Sequence, residues 1–266
     1  MKTRVAILVV HAEIEPFASI KRLIHPEIYQ GVEERGFDLF YLVGRGKSNR
    51  VRNNFNRAIE KNRHSRYYLI SRLFDFVFLN LISRLPRKIN VKGPMIQVDT
   101  PEDLRHLGFK LITAIEYLLK CDYDWVLRTT TSSVVNLDFL AASIEELSKE
   151  NGPIFAGAVV SRPKTHDFIV GSCLLMNKPA MKFVNQNRNR WDHSLLDDVA
   201  LGRLASKEYD FFSIKNLSVS TEEEVGRLGA AELAESLVIR CKTQTHPRTD
   251  GELMKNVHKR LKNSQK

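Results

Sequence analysis

The sequence predicts an α/β protein built on an open, mostly parallel sheet flanked by helices. Three observations point there. Short apolar runs alternate with stretches of three-and-four apolar periodicity through the amino-terminal half, the pattern of parallel strands joined by crossover helices. One run, Trp125, Val126 and Leu127, is bounded by polar clusters and reads as a buried central strand. It gives way to six consecutive polar side chains, Arg128 to Ser133, before a helical pattern resumes over 136–147. Ligands bind open α/β sheets just past the carboxyl ends of the strands, so this polar turn is a candidate site. The competing reading is an ordinary strand-to-helix turn rich in Ser and Thr.

The elements follow in order. Residues 4–11 form a first strand, whose apolar run is too short for a signal-peptide core or a membrane span. A helical region fills 15–35, with Pro16 near its start and Pro26 interrupting it. Residues 37–43 are a second strand closed by Gly44, and 95–98 a third. Thr100 as N-cap, Pro101 at the first helical position and Glu102 and Asp103 in the first turn predict a helix reaching Lys120. Leu104, Leu107, Leu111, Ala114, Ile115 and Leu118 share its core face. Beyond the central strand come strands at 154–160 and 168–177, a helix from Pro179 and another opening near Leu196. A short strand at 237–240 and a helix at 251–261 complete the chain.

At 266 residues and 43% hydrophobic, the chain suffices for one domain with a sizeable core. Cys121, Cys173 and Cys241 are widely spaced and in no C-x-x-C arrangement, which argues against a disulfide framework or a zinc site and for a reducing compartment. The formal net charge is +10, and residues 45–88 carry twelve Lys and Arg against Glu60 and Asp75, an excess equal to that of the whole chain. Within that block, 67–85 (YYLISRLFDFVFLNLISRL) patterns as an amphipathic helix flanked by cations. It packs on the domain with a solvated basic face, or lies against an anionic membrane surface. Arg72 and Asp75 argue against a membrane span.

Five stretches, in this order and spacing, resemble glycosyltransferases of the GT-A fold, of the Fringe and β1,3-galactosyl/N-acetylglucosaminyltransferase type. They are FYLVG (40–44), VDTPEDL (98–104), LGFKLITAIEYLLKCDYDWVLR (107–128), FIVGS (168–172) and LDDVALG (196–202). The tail VIRCKTQTHPRTDGELMKNVHKRL (238–261) is similar to the carboxyl-terminal part of some bacterial and viral transferases with a related domain. The resemblance implies a single GT-A-like, Rossmann-type domain over 1–266, with a basic amphipathic helical insert at about 45–90. It also implies transfer of a sugar from a nucleotide-sugar donor, most often uridine-diphosphate-linked, to a glycan or lipid-linked glycan acceptor. The acidic pair before Val-x-x-Gly supplies the family's base, which selects Asp198, with Asp197 kept open. Val10, His11, Asp99 and Lys110 are placed beside the donor, and Gly171 and Ser172 beside the acceptor; Asp192 and His193, just upstream of the acidic pair, are either acceptor ligands or a solvent-exposed loop pair.

One departure decides how the diphosphate is handled. Where the family carries an Asp-x-Asp metal motif, this chain has Thr130, Thr131 and Ser132. Hydroxyls are poor ligands for Mn²⁺ or Mg²⁺, which take anionic oxygen, so no metal ligand is assigned. Arg128, Arg240, Lys242 and Arg248 are the candidate replacements, with Arg240 and Lys242 alternating off a short strand onto one side. The hydroxyls then serve as hydrogen-bond donors to phosphate or ribose. These expectations place the protein in the cytoplasm, peripheral at the inner membrane face. Two other readings stand beside them: a nucleic-acid-binding protein using 45–88, with Tyr67, Tyr68 and Phe74 stacking on bases, and an inactive relative that only binds glycans.

Overall fold

The computed structural model describes residues 3–46, 88–102, 106–161, 166–245 and 248–264. The predicted basic insert and its amphipathic helix at 67–85 lie outside the described residues. In chain order the elements are β1 (Val5–Val10), α1 (Phe17–Leu23), α2 (His25–Ile28), β2 (Phe37–Gly46), β3 (Ile89–Lys92) and β4 (Met95–Pro101). Then come α3 (Leu107–Lys120), β5 (Trp125–Thr130), β6 (Ser133–Val135), α4 (Leu137–Leu147), β7 (Phe155–Val160), β8 (Phe168–Asn177), α5 (Lys178–Gln186) and α6 (Asp197–Ala205). The remainder is β9 (Phe211–Ser213), β10 (Asn216–Val219), α7 (Glu222–Arg227), α8 (Ala230–Ala234), β11 (Val238–Cys241) and α9 (Asp250–Ser264).

Eight strands make one sheet in the order β3-β4-β2-β1-β5-β8-β7-β9. The pairs β4–β2, β2–β1, β1–β5 and β7–β9 are parallel and the other three antiparallel, giving a mixed, mostly parallel Rossmann-like sheet. Both faces are covered, which is why β1 reads as an unbroken apolar run. Val5, Ile7 and Val9 point into one core with Ile20, Ile24, Leu140, Ile144, Leu253 and Val257, from α1, α4 and α9. Ala6 and Leu8 point into the other with Leu111, Ile115, Leu118 and Leu201, from α3 and α6. Trp125 and Leu127 join the first core and Val126 the second, as the two-residue period of a strand requires.

Two boundaries differ from the sequence-based expectation. The polar run is not a loop: β5 continues through Arg128, Thr129 and Thr130, whose backbones pair with Leu8, Val9 and Val10 of β1. Only Thr131 and Ser132 form a turn before β6. Backbone pairing with a buried neighbour overrides side-chain polarity here. Thr100, Pro101 and Glu102 do not open a helix, because β4 runs through Pro101 to pair with Gly46 of β2, and α3 starts at Leu107. Asn136 caps α4 at the start of the predicted helical stretch, its Oδ1 accepting from the Phe139 N–H at 3.1 Å. Among the described residues no helix is long and apolar enough to cross a membrane.

Helix α6 rests directly on β8. A Cβ at Gly202 would lie 2.5 Å from both the Asp167 carbonyl oxygen and Phe168 Cβ, so only glycine permits this approach. Gly202→Ala is therefore expected to cost about 1–3 kcal/mol in urea denaturation. Gly226→Ala in α7, where a Cβ meets nothing within 4 Å, is expected to be neutral or stabilising by up to about 1 kcal/mol.

Candidate functional site

The carboxyl ends of β1 and β5 open into a cleft of about 670 Å³. They are adjacent strands from which the chain departs in opposite directions, towards β2 on one side and towards β8 and β7 on the other. This is the switch point at which open α/β sheets take ligands. Val10 and His11 line the cleft from β1, Arg128, Thr130, Thr131 and Ser132 from β5 and its turn, and Gly171 and Ser172 from β8. Asp197 and Asp198 line it from the start of α6, and Arg240, Lys242 and Arg248 from β11 and the segment after it.

Non-local pairing brings the cations to the cleft. β6 runs antiparallel to β11 with Ser133 opposite Arg240, and the Cys241 N–H donates to the Ser132 carbonyl at 2.8 Å. Burial, then the neighbouring charges of Arg128 and Arg248, hold the Arg240 guanidinium below the ordinary arginine value, with Asp198 and Asp250 opposing. The cations thus stand close enough to repel one another. Arg248 pairs with Asp250, lies over the Phe17 ring at 5.3 Å and reaches Ser132 Oγ at 3.5 Å.

The two acids of α6 are not equivalent. Asp197 receives a hydrogen bond from Arg128 Nη2 at 2.7 Å, and both side chains are only 5% exposed. The pair is possible because residue 171 is glycine: a Cβ there would sit 2.3 Å from Arg128 Nη1. Asp198 is half-buried, and its carboxylate accepts from the backbone N–H groups of Gly171 at 3.1 Å and Val199 at 2.8 Å. It makes no ion pair among the described residues, and it stands in the first turn of α6.

The hydroxyls expected to meet the ligand are engaged by the protein. Thr131 Oγ1 donates to the Val10 carbonyl at 3.1 Å and contacts His11 Nδ1 at 3.2 Å. Thr130 Oγ1 pairs with Ser133 Oγ at 2.8 Å, and Ser132 Oγ donates to Asp250 Oδ2 at 2.7 Å. Asp250 is fully buried at the head of α9 and also accepts from the Thr243 N–H and Oγ1 at 2.9 and 2.8 Å. It is the node that fixes Ser132 and Arg248 together. In the sequence it stands just before the predicted last helix, and no local pattern shows the hydroxyls and the guanidinium it faces.

Four expected site residues lie elsewhere. Asp99 is exposed near the end of β4 and Lys110 is buried in α3, so neither lines the cleft. Lys110 Nζ instead pairs with Glu102, whose carboxylate reaches the cleft wall and also accepts from the Gly44 N–H. Asp192 pairs with Arg203 at 2.6 Å and accepts from Ser194 Oγ, while the His193 ring is buried against Phe109 at a 3.7 Å centroid distance.

The carboxylates that reach the cleft are largely paired with cations: Asp197 with Arg128 and Glu102 with Lys110. With neutral, engaged hydroxyls at 130–132, this donor set does not fit a divalent metal. It does fit an anion. Arg128 Nε and Ser172 Oγ are buried, line the cleft and have no hydrogen-bond partner among the described residues, an uncommon condition in folded proteins, whereas His11 Nε2 faces Glu13 Oε1 at 3.4 Å. No protein-family model and no curated protein matches the chain, so the chemistry of the site rests on its own geometry.

Behind the cleft, Tyr41 hydroxyl and His25 Nδ1 lie 2.9 Å apart, and His25 Nε2 donates to the Thr131 carbonyl at 2.8 Å. Burial lowers both His25 and His11 to about 4. The unfolded chain protonates them near 6.5, so each is stability-neutral above that pH and costs stability as pH falls towards 4. The loss reaches up to roughly 3 kcal/mol per histidine. Urea midpoints should drop between about pH 6.5 and 4.5, and less steeply in His25→Gln. Asp197→Ala, which strands a buried guanidinium, should cost about 3–5 kcal/mol, whereas Asp198→Ala should cost under about 1 kcal/mol; paired denaturation curves check this.

Proposed function

We propose that the chain is a glycosyltransferase of GT-A-like architecture that moves a sugar from a nucleotide diphosphate, uridine diphosphate for preference, to a hydroxyl of a glycan or lipid-linked glycan. The observation that carries this reading is that Arg240, Lys242 and Arg248 share a cleft with Asp198 at the switch point of the sheet. The acceptor oxygen attacks the anomeric carbon, its proton passes to the Asp198 carboxylate, and the bond from that carbon to the diphosphate oxygen breaks with its electron pair. The configuration inverts. The departing diphosphate gains negative charge where the three cations stand.

Magnitudes support doing this without a resident metal. Charge-assisted hydrogen bonds contribute about 1.5–3 kcal/mol each, so three supply about 5–9 kcal/mol, comparable with the several kcal/mol from a Lewis-acid metal. Asp250 holds Arg248 in place, and the charges of Arg128 and Arg248 beside Arg240 favour entry of an anion. Val10 and His11 stand on the nucleotide side of the cleft, and Gly171 and Ser172 beneath the sugar. On this reading the protein is cytoplasmic, and the cationic block 45–88 holds it at the inner face of an anionic membrane where a lipid-linked acceptor resides.

Uridine diphosphate should raise the Tm in the presence of EDTA, through binding to the native state alone. Turnover with the correct nucleotide sugar should survive the chelator. Asp198→Asn should lower kcat about 10²- to 10⁴-fold with diphosphate binding retained. Arg240→Ala should weaken that binding roughly 10- to 100-fold. Absence of any shift with nucleoside diphosphates, or full turnover by Asp198→Asn, would overturn the assignment.

A further inference from the structure

A second hollow, of about 360 Å³, lies between α2 and the carboxyl-terminal half of α9. It is lined by Glu27, Lys255, Asn256, His258, Lys259, Lys262 and Asn263. His258 stands eight residues beyond Asp250, so at 1.5 Å per residue it is about 12 Å along the helix from that carboxylate's residue, and no residue lines both hollows. The site is separate from the one already described.

Three features make it a built site. His258 is only 7% exposed, yet neither ring nitrogen has a hydrogen-bond partner among the described residues. Burial, then Lys262, holds its imidazole below the ordinary histidine value, with Glu27 opposing, so near neutrality the ring is uncharged and has one N–H to donate. Lys255, Lys259 and Lys262 recur on one face of α9 and line the same hollow as that ring. Lys255 leans towards Glu252 at 3.1 Å, while Lys259 and Lys262 have no ion pair among the described residues. With Lys255 paired to Glu252, Lys259 and Lys262 stand against the carboxylate of Glu27, and Asn256 is turned to Glu222 at 2.7 Å, so these two lysines are the charges that favour an anion. The dipole of α9 disfavours an anion at this end, so the lysines have to supply the attraction, which favours a ligand of more than one charge.

We propose that this hollow is a second anion site that takes a terminal phosphate group, with His258 as the buried donor and Lys259 and Lys262 as the charges that hold it. The chemistry is shared by inorganic phosphate and by the phosphomonoester headgroup of a lipid such as phosphatidic acid. It is independent of the glycosyltransferase reading, since none of its residues lines the cleft.

The test follows the imidazole ¹⁵N resonances of His258 while inorganic phosphate is titrated into the full chain. The site predicts a saturable shift at His258, and a roughly tenfold or greater loss of apparent affinity in Lys259→Ala/Lys262→Ala. Both substitutions are at exposed positions, and an unchanged circular-dichroism spectrum and urea midpoint in the same variant report that the fold is intact. A His258 resonance that does not move, or moves equally in the double variant, would overturn the proposal. Sedimentation with phosphatidylcholine vesicles, with and without phosphatidic acid, separates the sources. Binding to the acidic vesicles that the double variant weakens assigns the lipid headgroup, and a phosphate response without that difference assigns free phosphate.

Discussion

The buried ion pair between Arg128 and Asp197 is the constraint on which the site is built. A guanidinium 5% exposed is tolerable only with a carboxylate against it, and at 2.7 Å that carboxylate comes from the first residue of α6. The pair ties the carboxyl end of the central strand to a helix that also carries the next acid. Gly171 leaves room for the guanidinium, and its own N–H turns to Asp198. Neutralising the first acid is what leaves the second available, and the shared helix start keeps the two in fixed relation.

Across the cleft the organisation is reversed, because there a buried acid serves the cations. Asp250 gathers Ser132, Thr243 and Arg248 around one carboxylate. Pairing of β6 with β11 sets Arg240 beside the same turn. Positive charges held in place by other interactions favour an anion more than flexible surface lysines would, since little ordering remains to be done on binding. The hydroxyls at 130–132 contribute by fastening the turn.

Much of the fold was legible because its signals are local. The strand over 168–177 and the helix opening near 136 both follow from residues adjacent in sequence. The short strands β3, β6, β9 and β10 were not foreseen: three or four residues carry little periodicity, and each exists by pairing with a partner elsewhere in the chain. The same limit applies to the site. Asp197, Asp198, Arg240, Lys242 and Arg248 do converge, since each sits at the end of a readable element. Lys110 and His193 carry polar side chains suited to a site, yet one neutralises Glu102 from within a helix and the other stacks on Phe109. Glu102 went unread because it looked like an ordinary helix-start acid and Asp250 because no local pattern marks it, and only the tertiary structure reveals the base or hydroxyl each faces.

A crystal structure with uridine diphosphate, grown in the presence of EDTA, tests the central claim most directly. The account predicts the diphosphate within about 3 Å of the Arg240 and Arg248 guanidinium groups, with the Asp198 carboxylate facing it across an open space large enough for a sugar. A diphosphate bound elsewhere, or Asp198 turned away from that space, would contradict it.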